Sequence, residues 1–277
     1  MMVNESWFRE NQLNWDDRAR LHEAAGYGID ELVSDPAYIT PEVAQDRDLI
    51  GDLTGKSVLH LQCHLGTDTI SLARLGAEHV IGLDLSPESL RRANRIAGRA
   101  GAEIDFVQAN VYDARRAVTE DFDLVYTSLG VLCWLPDVDE WARVVHSLLK
   151  PGGRFIIRDD HPMFMAIGED VSEGLKIEQP YFQQRAPQTW EDDGSYIDAK
   201  HAPRIQHTKS HEWNHSIGEI LTAVLNTGLV IDSFEETNYS AWCPWPHLME
   251  RDGDTFRLRE NPDRLALQWV MSAHRPS

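Results

Sequence analysis

From residue 57 onward, short apolar runs alternate with amphipathic stretches of about 10–15 residues. The apolar runs predict strands at 57–62, 79–85, 104–109, 122–129, 154–159, 229–236 and 264–274. The stretches between them predict helices at 67–77, 86–101, 139–153 and 216–229. This alternation is typical of βαβ units, whose right-handed crossovers build a parallel sheet covered by helices on both faces. The predicted fold class is therefore α/β, with a doubly wound, Rossmann-like sheet.

Two helix starts carry clear capping signals. Ser86 precedes Pro87 as an N-cap, and Ser216 with Glu219 forms a capping box. Pro151-Gly152-Gly153 is expected to stop the helix at 139–153, and Gly228 to sit at the end of the helix at 216–229.

The chain divides into three parts by pattern. Residues 1–50 are polar and predict helices at 14–25 and 41–51, whereas 51–277 hold the alternating domain. Residues 162–206, after the fifth strand, break the alternation and are expected to form an inserted hairpin on the substrate side. This insertion is aromatic and polar, with Tyr181, Phe182, Trp190 and Tyr196.

Charge and cysteine content narrow the function classes. The 277 residues include 26 Lys plus Arg and 45 Asp plus Glu, for a net charge of −19, which argues against a nucleic-acid partner. The three cysteines are widely spaced and form no CxxC pair, so no disulfide framework is predicted. No run of 18 apolar residues predicts a membrane span, and no signal peptide is evident. We therefore expect a cytoplasmic protein with no membrane partner. The pattern carries no signal for an oligomeric state.

Ligands of doubly wound sheets bind beyond the carboxyl ends of the strands, so the residues there form the candidate site. The first strand leads into LQCHLGTDT (61–69), which lacks G-x-G-x-x-G, and Gln62 and His64 would obstruct a pyrophosphate. Asp84 ends the second strand, where a carboxylate can accept hydrogen bonds from two ribose hydroxyls. Asn110 follows the third strand and either reads an adenine edge beside Val111 or is a simple turn residue.

Four segments in order resemble the class I S-adenosylmethionine-dependent methyltransferases over about residues 56–160. They are VLHLQCHLGTDTISLARLGA, VIGLDLSPESLRRA, FVQANV and FDLVYTSLGVLCWLPDVDEWARVVHSLLKPGGRFII. The resemblance implies a seven-stranded sheet with an antiparallel last strand, and S-adenosyl-L-methionine as cofactor. The family's first motif is acidic-x-G-x-G-x-G, and here His60, Gln62 and His64 replace the acid and the first two glycines.

The resemblance also implies a set of cofactor contacts. These are Gln62, Cys63, His64, Gly66, Asp84, Leu85, Asn110, Val111, Ser128, Leu129 and Trp134. It further implies an N-terminal helical lid, on which Trp15 and Arg18 lie one turn apart. Arg18 is expected to pair with the cofactor carboxylate and Trp15 to shield it. The alternative is that Trp15 packs on the core and Arg18 is solvated.

Acceptor chemistry is expected near the fifth strand. His161 either hydrogen-bonds locally, lines the pocket, or acts as general base, oriented by Asp159 or Asp160. Tyr239, Trp242 and Trp245 either wall the acceptor pocket or cap the core. His207, His211 and His215 precede the helix start at Ser216, and extended spacing separates the first two by about 13 Å, so no metal site is predicted.

The sequence therefore predicts an enzyme that transfers a methyl group to an O or N atom of a small molecule. The departures at His60, Gln62 and His64 leave open a non-catalytic module that holds S-adenosylmethionine or S-adenosylhomocysteine. A nicotinamide-dependent oxidoreductase is a third reading, which the missing glycines disfavour.

Overall fold

The structure is a computed structural model and describes residues 5–168, 170–195 and 203–277. Its helices are α1 Glu5–Ala24, α2 Ile29–Ser34, α3 Pro41–Gln45, α4 Arg47–Ile50, α5 Thr67–Arg74, α6 Pro87–Ala100, α7 Ala114–Ala117, α8 Val138–Leu148, α9 Pro162–Met165 and α10 Ile217–Asn226. Its strands are β1 Ser57–Leu61, β2 His79–Asp84, β3 Asp105–Gln108, β4 Phe122–Ser128, β5 Leu149–Asp160, β6 Gln188–Glu191, β7 Lys209–Glu212, β8 Val230–Thr237, β9 Tyr239–Ser240, β10 Met249–Asp252, β11 Thr255–Leu258 and β12 Gln268–His274. Within these residues, no helix is both long enough and apolar enough to cross a bilayer.

The predicted α/β architecture is confirmed. The central sheet has seven strands in the order β3-β2-β1-β4-β5-β12-β8, and β12 runs antiparallel to both of its neighbours. Strands β1 to β5 are parallel, so their carboxyl ends meet at one edge. Helices cover both faces and bury large apolar side chains such as Trp141 and Phe155 against the sheet.

The predicted capping signals act as expected, whereas one helix end was wrong. Ser86 accepts a hydrogen bond from Ser89 N, and the capping box of Ser216 and Glu219 is complete. Helix α8 ends at Leu148, and β5 begins before Gly153. A Cβ at Gly153 would lie 2.8 Å from Phe122 O, so the glycine serves the close approach of β5 to β4.

Helix α1 is longer than the predicted 14–25 and packs on β7. Its buried polar side chains bond to the backbone of that segment. Asn11 donates from Nδ2 to His211 O and accepts from His211 N, at 2.8 and 2.7 Å. Asn14 donates to His207 O, and Asp17 accepts from His207 N. Because these side chains recur every three residues, one face of α1 is bound to the backbone of residues 207–211, which lead into and along β7.

The region after β5 forms two small sheets. Strand β6 pairs with β7 as an antiparallel hairpin, so the second strand of the insertion lies just beyond the predicted limit of residue 206. Tyr196 lies outside the described residues. Strands β9, β10 and β11 form a three-stranded sheet that the pattern did not predict, because strands of two to four residues show no usable periodicity.

A buried ion pair joins the N-terminal segment to the sheet. Arg158 on β5 donates from Nε and Nη2 to Asp46 Oδ1 at 2.8 and 2.6 Å, and Tyr126 donates to Asp46 Oδ2 at 2.9 Å. Asp46 is fully buried and Arg158 is 3% exposed. Removing one partner of such a pair leaves an uncompensated buried charge.

We therefore expect Asp46→Ala to lower the free energy of unfolding by about 3–5 kcal/mol, measured by urea denaturation. Asp113→Ala is the control, because Asp113 pairs with Arg116 on the surface and its loss should cost less than about 1 kcal/mol. Equal losses for the two variants would contradict the structural role of the buried pair.

Candidate active site

A cavity of about 980 Å³ lies at the edge where the parallel strands end. Its walls come from the N-terminal segment, from the ends of β1 to β5 and the loops after them, and from residues 212–215 and 241–243. The volume suffices for a nucleoside-sized ligand together with a small second molecule. Ligand sites at this edge are the rule for doubly wound sheets.

The loop after β1 keeps a glycine-like backbone at two positions that hold no glycine. Gln62 and His64 have φ values of 57° and 49°, which L residues other than glycine adopt at a cost of about 1–2 kcal/mol each. Their side chains offset this cost with hydrogen bonds. Gln62 donates from Nε2 to Val131 O at 3.1 Å, and His64 Nδ1 and Ser89 Oγ lie 3.1 Å apart. Both residues line the cavity.

Gly66, the retained glycine, serves packing. It caps α5 with a φ of 71°, and a Cβ there would lie 2.8 Å from the Phe106 ring and 3.1 Å from Ala93 Cβ. It does not belong to the cavity lining, unlike the other predicted cofactor contacts. The glycine is thus required for the close approach of α5 to α6 and β3.

Asp84 lies at the end of β2 as predicted. It accepts hydrogen bonds from His64 N at 2.9 Å through Oδ2 and from Ser86 N at 2.8 Å through Oδ1, so both carboxylate oxygens are held in place. Burial raises the pKa of Asp84 to about 6, although these N–H groups favour the charged form. The arrangement suits a pair of ribose hydroxyls.

The loop after β3 contributes a polar and an apolar wall. Asn110 accepts a hydrogen bond from Tyr112 N through Oδ1, which leaves its NH₂ group as a donor. Val111 is buried beside it and also lines the cavity. Asn110 is therefore a turn residue and a cavity residue at once, so the two readings of this position are compatible.

Helix α1 brings both predicted lid residues to the cavity. Trp15 packs edge-on against His64 and Trp134, with centroids 5.0 and 5.2 Å apart. The Arg18 guanidinium lies 5.7 Å from the Trp15 ring centroid and donates from Nε to Asn14 Oδ1 at 2.7 Å. Arg18 is the sole Lys or Arg among the described residues of the lining.

Two adjacent aspartates end β5 and differ in their hydrogen-bond partners. Asp159 accepts hydrogen bonds from the backbone N–H groups of residues 130–132, and so shapes the loop after β4. Asp160 accepts from Gln268 Nε2 at 3.1 Å and from Trp242 Nε1 at 3.3 Å. Burial and the neighbouring Asp159 charge raise the pKa of Asp160 to about 7. A cavity-lining carboxylate with such a pKa can take up a proton near neutral pH.

Three predicted acceptor residues lie outside the cavity lining. His161 caps α9, accepts from Met163 N, and has its Nε2 2.6 Å from Glu236 Oε1. Tyr239 lies on β9, and Trp245 packs on Phe164 in an apolar cluster. Both ring nitrogens of His161 are thus engaged, and of the predicted aromatic trio Trp242 alone lines the cavity.

The three spaced histidines bond to separate partners. His207 Nδ1 lies 2.9 Å from Asp17 Oδ2, His211 bonds to Glu10 and Thr189, and His215 Nε2 lies 2.7 Å from Leu135 O. Across residues 5–168, 170–195 and 203–277, no group of three or more His, Cys, Asp or Glu residues has metal-binding geometry.

Sequence reasoning missed three cavity carboxylates, Glu42, Asp68 and Glu212. Asp68 lies in the first turn of α5, and Glu42 lies in α3 of the N-terminal segment. The position of Asp68, two residues after Gly66, is a weak signal. Nothing in the sequence indicates that Glu42 reaches the same cavity.

Sequence comparison identifies relatives of one enzyme class. Residues 59–155 match a family model described as a methyltransferase domain. A ubiquinone biosynthesis O-methyltransferase of Aeromonas salmonicida is 34% identical over 110 residues, which cover 40% of this chain and 45% of that protein. One of Escherichia coli is 37% identical over 103 residues, covering 37% and 42%. The chain thus matches less than half the length of these relatives.

Structural comparison extends the likeness to most of the chain. An S-adenosylmethionine-dependent methyltransferase from Mesorhizobium loti has a TM-score of 0.57 and 25% identity, over 84% of this chain and 96% of that one. A geranyl diphosphate C-methyltransferase from Streptomyces coelicolor, solved with S-adenosylhomocysteine, shares the fold, with a TM-score of 0.52 and 17% identity over 84% and 78%. Residues 59–155 therefore match a methyltransferase domain, and the chain shares the fold of S-adenosylmethionine-dependent methyltransferases.

Proposed function

We propose that this protein transfers a methyl group from S-adenosylmethionine to an O or N atom of a small molecule. The observation that carries the proposal is one continuous cavity that joins Asp84, suited to a ribose, to Asp160, suited to proton uptake. The relatives named as ubiquinone biosynthesis O-methyltransferases support a small-molecule acceptor. The net charge of −19 disfavours nucleic-acid acceptors.

The residues present fit the cofactor. Asp84 accepts the ribose hydroxyls, Asn110 and Val111 bind the adenine, and Arg18 pairs with the carboxylate of the amino-acid part. Gln62, Cys63, His64, Leu85, Ser128, Leu129 and Trp134 complete its surroundings. Gln62 and His64 adopt a glycine-like backbone conformation, so the replacement of the two glycines is compatible with cofactor binding at this loop.

The chain's own residues position the acceptor and remove its proton. S-adenosylmethionine supplies a methyl group already activated for displacement. Trp242 and Phe164 line the cavity near Asp160 and exclude water from that end. Asp160 accepts the proton that the acceptor O–H or N–H loses as its lone pair bonds to the methyl carbon.

The same proposal assigns roles to two segments. Residues 1–50 serve as a lid, since α1 carries Trp15 and Arg18 to the cavity, and 162–206 serve as an acceptor-side insertion, since Pro162, Phe164 and Met165 line it. A cytoplasmic location agrees with the three cysteines, Cys63, Cys133 and Cys243, which are all free thiols.

Calorimetry with S-adenosylhomocysteine tests the function directly. We expect wild-type binding, with Arg18→Ala weakening it about 10- to 100-fold because a charge-assisted pair is lost. Binding of 5′-methylthioadenosine, which lacks the amino-acid part, should not change. Arg9→Ala, an exposed position of α1, is the matched control. Failure of the wild type to bind either ligand would refute the proposed function.

The raised pKa of Asp84 predicts a pH-dependent affinity. Ribose hydroxyls donate to the ionised carboxylate, so the affinity for 5′-methylthioadenosine should be full above pH 6 and fall below it. His64 contributes no titration in this range, because burial lowers its pKa to about 3. Asp84→Asn should bind weakly at every pH. A wild-type affinity that stays constant from pH 5 to pH 8 would contradict the role of Asp84.

Asp160→Asn should slow turnover by about 100-fold or more while S-adenosylhomocysteine binds within a few-fold of the wild-type affinity. The measurement is kcat on acceptors found in a panel of phenols, catechols and amines. Because an asparagine cannot take the proton, raising the pH towards the pKa of the acceptor should partly restore the rate. A variant with wild-type kcat and pH profile would exclude Asp160 as the base.

A further inference from the structure

Helix α1 contacts both of the residues whose backbone N–H groups hold the Asp84 carboxylate. His64 N donates to Asp84 Oδ2 and Ser86 N donates to Oδ1, at 2.9 and 2.8 Å. From α1, His22 hydrogen-bonds to the His64 side chain. Asp16 of the same helix hydrogen-bonds to the Ser86 side chain. Asp16 and His22 both lie outside the cavity lining, so their effect on the carboxylate is indirect.

The first of these contacts joins two neutral histidine rings. His22 Nδ1 lies 2.9 Å from His64 Nε2, and His64 Nδ1 lies 3.1 Å from Ser89 Oγ of α6. Burial lowers the pKa of His22 to about 2 and that of His64 to about 3, so both rings are neutral. A neutral imidazole has one N–H and one bare nitrogen, so one ring donates to the other without charge repulsion. His22 Nε2 lies 2.8 Å from Ser195 Oγ, which holds the ring on its far side.

The contact acts at a strained backbone position. The φ of His64 is 49°, in the left-handed region that favours glycine. A residue keeps such a conformation when the surrounding contacts hold it there. The His64 side chain is bonded to α6 on one side and to α1 on the other, so the two helices together direct its N–H group towards Asp84. A glycine at this position would have no side chain for either contact.

The second contact joins α1 to the start of α6. Asp16 Oδ1 accepts from Ser86 Oγ at 2.6 Å and from Glu88 N at 3.2 Å. Ser86 Oγ also accepts from Ser89 N as the N-cap of α6, and Ser86 is fully buried. The Ser86 hydroxyl is thus restrained by two helices, which keeps the N–H group of the same residue directed at Asp84 Oδ1.

We propose that Asp16 and His22 are positioning residues for the ribose of the cofactor. Each holds one of the two N–H donors of Asp84, so α1 orients the carboxylate from both sides in addition to covering the cavity. The inference rests on the proposed function, in which Asp84 accepts the ribose hydroxyls. Because hydrogen bonds weaken steeply with misalignment, loss of either contact should weaken the hydroxyl contacts and leave the adenine contacts unchanged.

Adenosine and 2′,3′-dideoxyadenosine differ by the two ribose hydroxyls, so the ratio of their dissociation constants tests the proposal. It is measured by competition calorimetry against S-adenosylhomocysteine at pH 8, where Asp84, with a pKa of about 6, is ionised. Wild type should bind adenosine about 10- to 100-fold more tightly, and Asp84→Asn should lose most of this preference. Asp16→Ala and His22→Phe should each reduce the ratio about fivefold or more, through weaker adenosine binding alone.

Conservative variants and a matched control complete the test. Asp16→Asn keeps the acceptor oxygen, and His22→Asn can place an amide where Nδ1 lies, so both should retain most of the ratio. Glu23→Ala removes ion pairs of α1 with Arg92 and Arg95, which join the same two helices by contacts other than these two. Its ratio should match that of the wild type.

Asp16→Ala and His22→Phe variants that keep the wild-type ratio, or that bind both nucleosides equally more weakly, would overturn the inference and leave the proposed function intact. If thermal denaturation shows that His22→Phe does not fold, the half-buried Asp16 decides the outcome by itself. A wild type that binds the two nucleosides equally would refute the ribose role of Asp84 and the inference with it. A wild type that binds neither adenosine nor S-adenosylhomocysteine would instead refute the proposed function.

Discussion

Parallel pairing of β1 to β5 brings their carboxyl ends to one edge of the sheet, and the rest of the site depends on how that edge is covered. Strand ends there carry Asp84, Ser128 and Asp160, polar groups that need either water or partners. The cover is α1, bound through Asn11 and the neighbouring buried side chains to the backbone before and along β7. Because the donors and acceptors of this contact satisfy each other, a polar helix can be buried at low cost.

The pKa values of the cavity carboxyl groups depend on their burial beneath the same elements. Glu42, Asp84 and Asp160 all have a raised pKa, and burial is the first cause in each case. At neutral pH a carboxyl group whose pKa is raised in the folded state lowers the free energy of unfolding, because the unfolded chain carries the charge at less cost. A ligand that brings positive charge and hydroxyl donors would relieve this cost, so binding and folding energy are coupled. The buried carboxyl groups of the cavity thus lower the stability of the ligand-free protein and favour ligand binding, as is common at functional sites.

Local signals predicted local structure well. Periodicity predicted the strands of the main sheet and the position of Asp84 at a strand end. The Ser86 cap depends on a few adjacent residues. The end of the helix predicted over 139–153 was wrong, since α8 ends at Leu148 and residues 149–153 belong to β5. Gly153 lies against Phe122 O there, a contact between distant residues that no local pattern encodes. The sequence predicts Gly66 as a cofactor contact. In the structure a Cβ at this position would collide with Phe106, a residue forty positions away, so the glycine is required for packing.

The sequence by itself determined the α/β class, the strand ends at which a ligand site lies, and the likeness to methyltransferases, because periodicity, capping and motif order are properties of neighbouring residues. Only the tertiary structure decided which side chains share the cavity. It brought Glu42 beside Asp68 and directed His161 towards Glu236, since side-chain placement depends on how separate elements pack. The same packing set the pKa of each carboxylate, because burial and charge neighbours exist only in the folded chain.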